Sequence, residues 1–356
     1  MKKIVVHCGF HKTGSSSIQK ALQIAHHENA FIDFGLPQLL MPGNHEKIFF
    51  NHSFPIFTAY SKRLKNYHQL KKRGLTHSEA KQYGHYVRSE ISRSLSRDKN
   101  IVISGEDISM LAPGELGQFV KDLRASVSSS DETEIGACCY VRCPVDLFSS
   151  EVQQSVKGGF TLNNAIENRL SEVSSAMTTK LSNLKMAFFG NLNVSDFEKA
   201  KLHKYGISGH FLESNKISTT LHNDVLLDQE VNLSFSDMAV SLLSAINARI
   251  PLFINGRLNP QRRANDFLLF KDTPGNKFSI SSELKNIVWT RTQPARKELK
   301  EQFSIEFSEP TLNVEKSDLR SLNNEEIQKL LHKCKTKMPH LELALTDILS
   351  SNGLSR

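Results

Sequence analysis

Near its start the chain reads Gly9-Phe10-His11-Lys12-Thr13-Gly14 and continues Ser15-Ser16-Ser17. Two glycines bracketing four residues, with a helix opening directly after, are suited to an anion. Successive backbone N–H groups and a helix N-terminus then converge on one point. In a nucleotide-hydrolysing phosphate loop the second glycine is followed by Lys and then Ser or Thr, and that lysine reaches the terminal phosphates. Here Ser15 follows Gly14, and the lysine has moved into the loop as Lys12. The displacement points away from ATP or GTP hydrolysis. It favours a shorter, diphosphate-like ester with the ammonium over its bridging oxygen. A plain turn is the bland alternative, but Lys12, Thr13 and three serines at the helix start favour the anion site.

Such a loop needs a strand before it and a helix behind it. Ile4-Val5-Val6-His7-Cys8 reads as a buried strand, and Ile18, Ala21, Leu22 and Ala25 have helical spacing. The pattern repeats: Tyr83, Val87, Ile91 and Leu95 mark a helix from about Ser78, and Ile101-Val102-Ile103 a strand ending at Ser104-Gly105-Glu106-Asp107. A helix carrying Leu116, Phe119, Val120 and Leu123 leads to the strand Ile135 to Val141, and Pro144 opens another helix. Strands joined by crossover helices pair in parallel, and ligands bind beyond their carboxyl ends. The 9–14 turn, Glu106 and Arg142 all lie at such ends. Further along, 161–188 reads as helix, Leu192-Asn193-Val194 as a weak strand, Ser234-Phe235-Ser236 as the cap of a helix, and Glu325 to Cys334 as helix. The expected fold is α/β, a central parallel sheet flanked by helices.

The segment His11-Lys12-Thr13-Gly14-Ser15-Ser16-Ser17-Ile18-Gln19 resembles the 5′-phosphosulfate loop of the sulfotransferase superfamily, Lys-Ser/Thr-Gly-Thr/Ser-Thr/Ser. Those enzymes use 3′-phosphoadenosine 5′-phosphosulfate (PAPS) as sulfuryl donor. The segment from Tyr140 to Gln154 resembles the family's 3′-phosphate motif, an Arg at a strand end with a Ser eight positions on, here Arg142 and Ser150. The resemblance spans most of 1–305, is closest to the bacterial branch with its carbohydrate sulfotransferases, and implies a P-loop NTPase-like architecture. It assigns His11, Lys12, Thr13, Gly14, Ser15, Ser16, Ser17, Arg142 and Ser150 to the donor. The late Arg-Lys-Gly element of cytosolic animal members is absent, with Arg257, Arg262 and Arg263 as the nearest substitutes.

Sulfuryl transfer needs a cation for the leaving oxygen and a base for the acceptor hydroxyl. Lys12 suits the first. For the base the candidates are Glu106, at the strand end where other members carry a catalytic His, and His45, where carbohydrate-modifying members often carry theirs. No metal is required. The expected acceptor is a hydroxyl, on a carbohydrate or glycolipid.

The remaining composition narrows the field. Lys and Arg number 45 against 37 acids, and residues 62–99 alone hold eleven bases and three acids, so that segment carries the whole net charge of +8. A uniformly basic nucleic-acid coat is excluded. Five cysteines are too few and scattered for a disulfide scaffold, which fits a reducing cytoplasm. No apolar run has the length of a membrane span. Residues 1–305 are expected to form the catalytic domain, with a helical, basic insertion over about 45–99, and 306–356 a helical extension. The alternatives are a nucleotide-dependent kinase using Glu106-Asp107 for its metal, and a nucleic-acid binder using 62–99.

Overall fold

A computed structural model of the protein describes residues 1–97, 100–127, 132–173, 176–221, 234–312 and 317–354, with the backbone alone at 44–47, 66, 68, 71, 72 and 176. The chain divides into two compact units. The first comprises Met1–Arg142, Met177–Val231 and Glu298–Ile305; the second comprises Cys143–Ala176, Asn232–Lys297 and Glu306–Arg356.

The first unit is built on β1 (Lys2–His7), β2 (Phe34–Gly35), β5 (Asn100–Ser104), β6 (Thr133–Val141) and β7 (Leu192–Asp196). These form one parallel sheet in the order β2-β5-β1-β6-β7, beside a small antiparallel pair, β3 (Leu40–Met41) and β4 (Asn44–Ile48). Its helices are α1 (Ser15–His27), α2 (Ser53–Tyr60), α3 (His68–Arg73), α4 (His77–Arg97), α5 (Pro113–Ala125), α8 (Ala176–Ala187), α9 (Phe197–Lys201) and α10 (Gly206–Ser214). The expected α/β class is therefore present, with a five-stranded parallel sheet flanked by helices. Both sheet faces are buried, which explains why its strands read as continuous apolar runs. On one face Val5, Val102, Cys138 and Tyr140 pack with Ile18, Leu22, Phe211 and Leu212. The alternate residues Ile4, Val6, Ile101 and Ile103 are fully buried toward the other.

Three features differ from expectation. The run 161–188 is two helices, α7 (Leu162–Leu170) and α8. The helix α2 was not legible in the sequence, because Ser53-Phe54-Pro55-Ile56-Phe57-Thr58 is buried on every side and shows no amphipathic period. The third concerns 306–356: the chain passes from the first unit to the second between 305 and 306, and 306–356 belongs to the second unit together with 143–176 and 232–297. In the second unit, α14 (Asn324–Lys337) and α15 (Glu342–Ser351) join α6 (Pro144–Lys157), α7, α11 (Asp237–Arg249) and α12 (Ser282–Arg291) around one core, beside the start of α13 (Gln293–Phe303). Ile327, Leu330, Cys334, Leu345 and Ile348 belong to the same apolar cluster as Val152, Leu242, Leu243 and Phe270. The C-terminal helices thus complete a core, as their apolar stripes require. Among the described residues no helix is long and apolar enough to cross a membrane.

Candidate anion-binding site of the first unit

The loop after β1 is shaped by close approaches. A Cβ at Gly9 would lie 2.1 Å from Ser15 Oγ and 3.3 Å from Glu106 Cγ. Gly14 precedes α1 with φ of 81°, and a Cβ there would meet Phe197 and Ile207 at 3.0 Å. Between them Lys12 takes φ of 65°, a left-handed conformation that a lysine adopts only at a cost. The hydroxyl of Thr13 donates to Phe10 O at 2.6 Å and closes the turn. Helix α1 receives no side-chain cap at its N-terminus and has no acid in its first turn. Ser15, 3% exposed, keeps its Oγ without a hydrogen-bond partner there. An uncapped helix start and a buried, unsatisfied hydroxyl next to a lysine make a place for an anion.

Parallel register brings the second group in. His7 pairs with Ser104 across β1 and β5, so the residues just beyond Ser104 arrive level with the loop. His11 Nδ1 and Glu106 Oε2 are 2.8 Å apart, with Asp107 Oδ1 3.9 Å from His11 Nε2. The hydrogen bond to Glu106 raises the pKa of His11, against the opposing effects of burial and of Lys180. Asp107 is buried, its carboxylate accepts from the hydroxyl of Tyr67, and its backbone N–H donates to Ser53 Oγ at 3.3 Å. Burial first, and Asp107 second, push the Tyr67 phenol up, so it stays a donor.

Beneath these groups lie two neutral histidines. His7 Nδ1 is 2.8 Å from Ser104 Oγ, and the Ser104 N–H donates to His52 Nδ1 at 3.0 Å. Both rings are fully buried, and desolvation lowers each pKa from 6.5 to about 4. Gly105 admits this packing: a Cβ on it would stand 2.7 Å from Ser53 N.

Arg142, just past β6, donates from Nε to Glu198 Oε1 at 3.0 Å and stacks over Phe197, 5.4 Å from the ring centroid. Its side chain is 14% exposed. The same Phe197 ring abuts Gly14, so the loop and Arg142 share one floor. Phe197 and Lys180 escaped sequence reasoning. Lys180 stands with Nζ 5.8 Å from the Phe10 ring centroid, and nothing local to α8 marks it, since Phe10 lies far away in the chain.

The other candidates lie on several elements. Ser16 and Ser17 lie in the first turn of α1. Ser150 lies on α6 in the second unit, whereas Arg142 belongs to the first. His45 is on β4, and its side chain is outside the described residues. Arg262 has every guanidinium nitrogen occupied and its side chain is 1% exposed: Nε is bonded to Asp266 Oδ2 at 2.7 Å, and the other two nitrogens to Ile250 O and Asn247 Oδ1. In the basic segment several cations are used internally: Arg88 donates twice to Ala59 O and stacks on Tyr60, and Arg73 stacks on Phe54 at 4.3 Å. All five cysteines are free thiols, and Cys143 alone is not buried. Among the described residues no group of three or more His, Cys, Asp or Glu is arranged to hold a metal.

The fold is α/β, with a strand–loop–helix element at the carboxyl edge of a parallel sheet as the candidate anion site. No protein-family model matches the chain, and no curated protein is significantly similar to it in sequence.

Proposed function

We propose that the protein is a sulfotransferase that moves the sulfuryl group of PAPS to an acceptor hydroxyl, on a carbohydrate or glycolipid. The observation that carries this reading is the loop itself: Lys12 held inside it at positive φ, with the Ser15 hydroxyl buried and unsatisfied at the start of α1. In the reaction the acceptor oxygen attacks sulfur in line, and the bond from sulfur to the bridging oxygen breaks. Its electron pair remains on the 5′-phosphate of 3′-phosphoadenosine 5′-phosphate. Lys12 receives that charge, helped by loop amides, since preorganised donors count most where charge develops. The hydroxyl proton passes to Glu106, which His11 holds in place. Arg142, seated on the same phenylalanine as the loop, grips the 3′-phosphate.

Calorimetry with 3′-phosphoadenosine 5′-phosphate tests the donor site. Micromolar binding is expected, weakened by about 2 kcal/mol, or roughly thirtyfold, in Arg142→Ala. Absence of binding in the intact protein would overturn the reading. For the base, Glu106→Gln should lower turnover about a hundredfold or more while leaving that affinity unchanged. Full turnover in the variant would transfer the role to another residue, His45 first.

A further inference from the structure

In the second unit β8 (Phe253–Ile254) and β9 (Arg257–Leu258) form a two-stranded ribbon, with Phe253 opposite Leu258 and Ile254 opposite Arg257. Asn255 and Gly256 turn it with φ of 50° and 74°, the geometry that an Asn-Gly hairpin favours. Neighbouring strand residues point to opposite faces, so Phe253 and Leu258 share one face and Ile254 and Arg257 the other. All of 253–258 is exposed, Phe253 by 53%, Ile254 by 49% and Leu258 by 45%. Apolar groups thus stand uncovered on both faces, which marks an interaction surface.

The ribbon is anchored at its base. Leu252 is buried against Gly159, the Asn259 N–H donates to Leu252 O at 2.9 Å, and Asn259 Nδ2 donates to Pro251 O at 2.8 Å. Arg262 bonds Ile250 O and Asn247 Oδ1 as well as Asp266, whose other oxygen is 2.9 Å from His340 Nε2. Asn247 in turn donates to Phe160 O at 2.9 Å, so the turn bearing a further exposed ring, Phe160 at 47%, hangs on the same network. A hairpin alone is marginal in water; this one is held from beneath while the apolar side chains beside its Asn-Gly turn stay exposed.

We propose that this hairpin inserts into the headgroup region of an anionic lipid bilayer. A protein partner with a flat surface or a strand edge would cover one face of a ribbon, whereas a bilayer interface accepts apolar groups on both at once. The charge agrees. Over 250–266 the sole acid, Asp266, is buried against Arg262, leaving Arg257 and Arg263 exposed. Cations among exposed apolar side chains are attracted to anionic headgroups, each contributing about a fivefold gain in affinity at the surface. The surface is independent of the sulfotransferase reading.

Co-sedimentation of the full chain with vesicles of phosphatidylcholine, and of phosphatidylcholine mixed with phosphatidylglycerol, tests it. Binding is expected to the mixed vesicles only. The double variant Phe253→Ser, Ile254→Ser should bind about tenfold more weakly, and Arg257→Glu at least about fivefold more weakly. A Phe253→Trp protein should show fluorescence quenching by brominated acyl chains beyond that of Trp289 alone. The side chains are exposed, so unchanged thermal melting shows that the variants fold. Equal vesicle binding by the double serine variant, or no binding of the intact protein to anionic vesicles, overturns the proposal. So does a dimer that dissociates in the serine variant without vesicle binding, which would make the ribbon an interface between copies.

Discussion

A Lys12→Gly variant is expected to fold as stably as the parent protein, to within about 1 kcal/mol, and to lose sulfuryl transfer by about a thousandfold. The two effects separate because the proposed function needs the lysine's ammonium, whereas the backbone at this position favours glycine. At φ of 65° any side chain carries a left-handed strain that glycine does not. Glycine also adds freedom to the unfolded chain, which offsets part of the relief. Lys12→Ala provides the contrast: it keeps the strain and should lose the same activity. Chemical denaturation alongside a transfer assay with PAPS decides the matter. A glycine variant that still transfers would show that Lys12 only shapes the turn.

Acid is expected to unfold the protein between pH 6.5 and 4, driven by His7 and His52. Each ring is fully buried, and desolvation lowers its pKa from 6.5 to about 4. The unfolded chain therefore takes up protons that the folded chain refuses. Stability from these groups is fully present above pH 6.5 and is lost as pH falls toward 4. The loss is roughly 3 kcal/mol for each histidine. Together they rival a typical folding free energy of about 5–15 kcal/mol. Asn keeps a side-chain oxygen near the position of Nδ1 and does not titrate. The double variant His7→Asn, His52→Asn should then flatten the pH dependence of the urea midpoint over this range, and an unchanged slope would refute the assignment. His11 has the opposite sign, since its raised pKa adds stability below pH 6.5 that is lost as pH rises through the folded value. Its side chain is 45% exposed, so solvent screens it and the buried pair dominates.

The buried histidines and the His11–Glu106 pair share one cause, the register of β1 on β5. With His7 opposite Ser104, the hydroxyl of Ser104 falls beside one buried histidine and its N–H faces another, while Glu106 reaches the loop. A sequence does not display that register. It displays Glu106 at a strand end, which made the residue a candidate, but not the histidine it would hold. The basic segment shows the same limit: Arg73 and Arg88 count as charge in the sequence, and only packing reveals that they lie over Phe54 and Tyr60.

Local order was legible because it depends on neighbours. Apolar residues repeating at strand and helix periods placed β1, α1, β5, α5, β6 and the start of α6, and two glycines around a lysine defined the loop. Those signals arise from sterics and hydrogen bonds spanning a few residues. The tertiary structure decided what lies under and across from that loop. It set Phe197 between Gly14 and Arg142, Lys180 beside Phe10, and the C-terminal helices in a core that begins with α6. These are contacts between distant segments, chosen by which apolar faces bury one another, and no short stretch of chain encodes its partner.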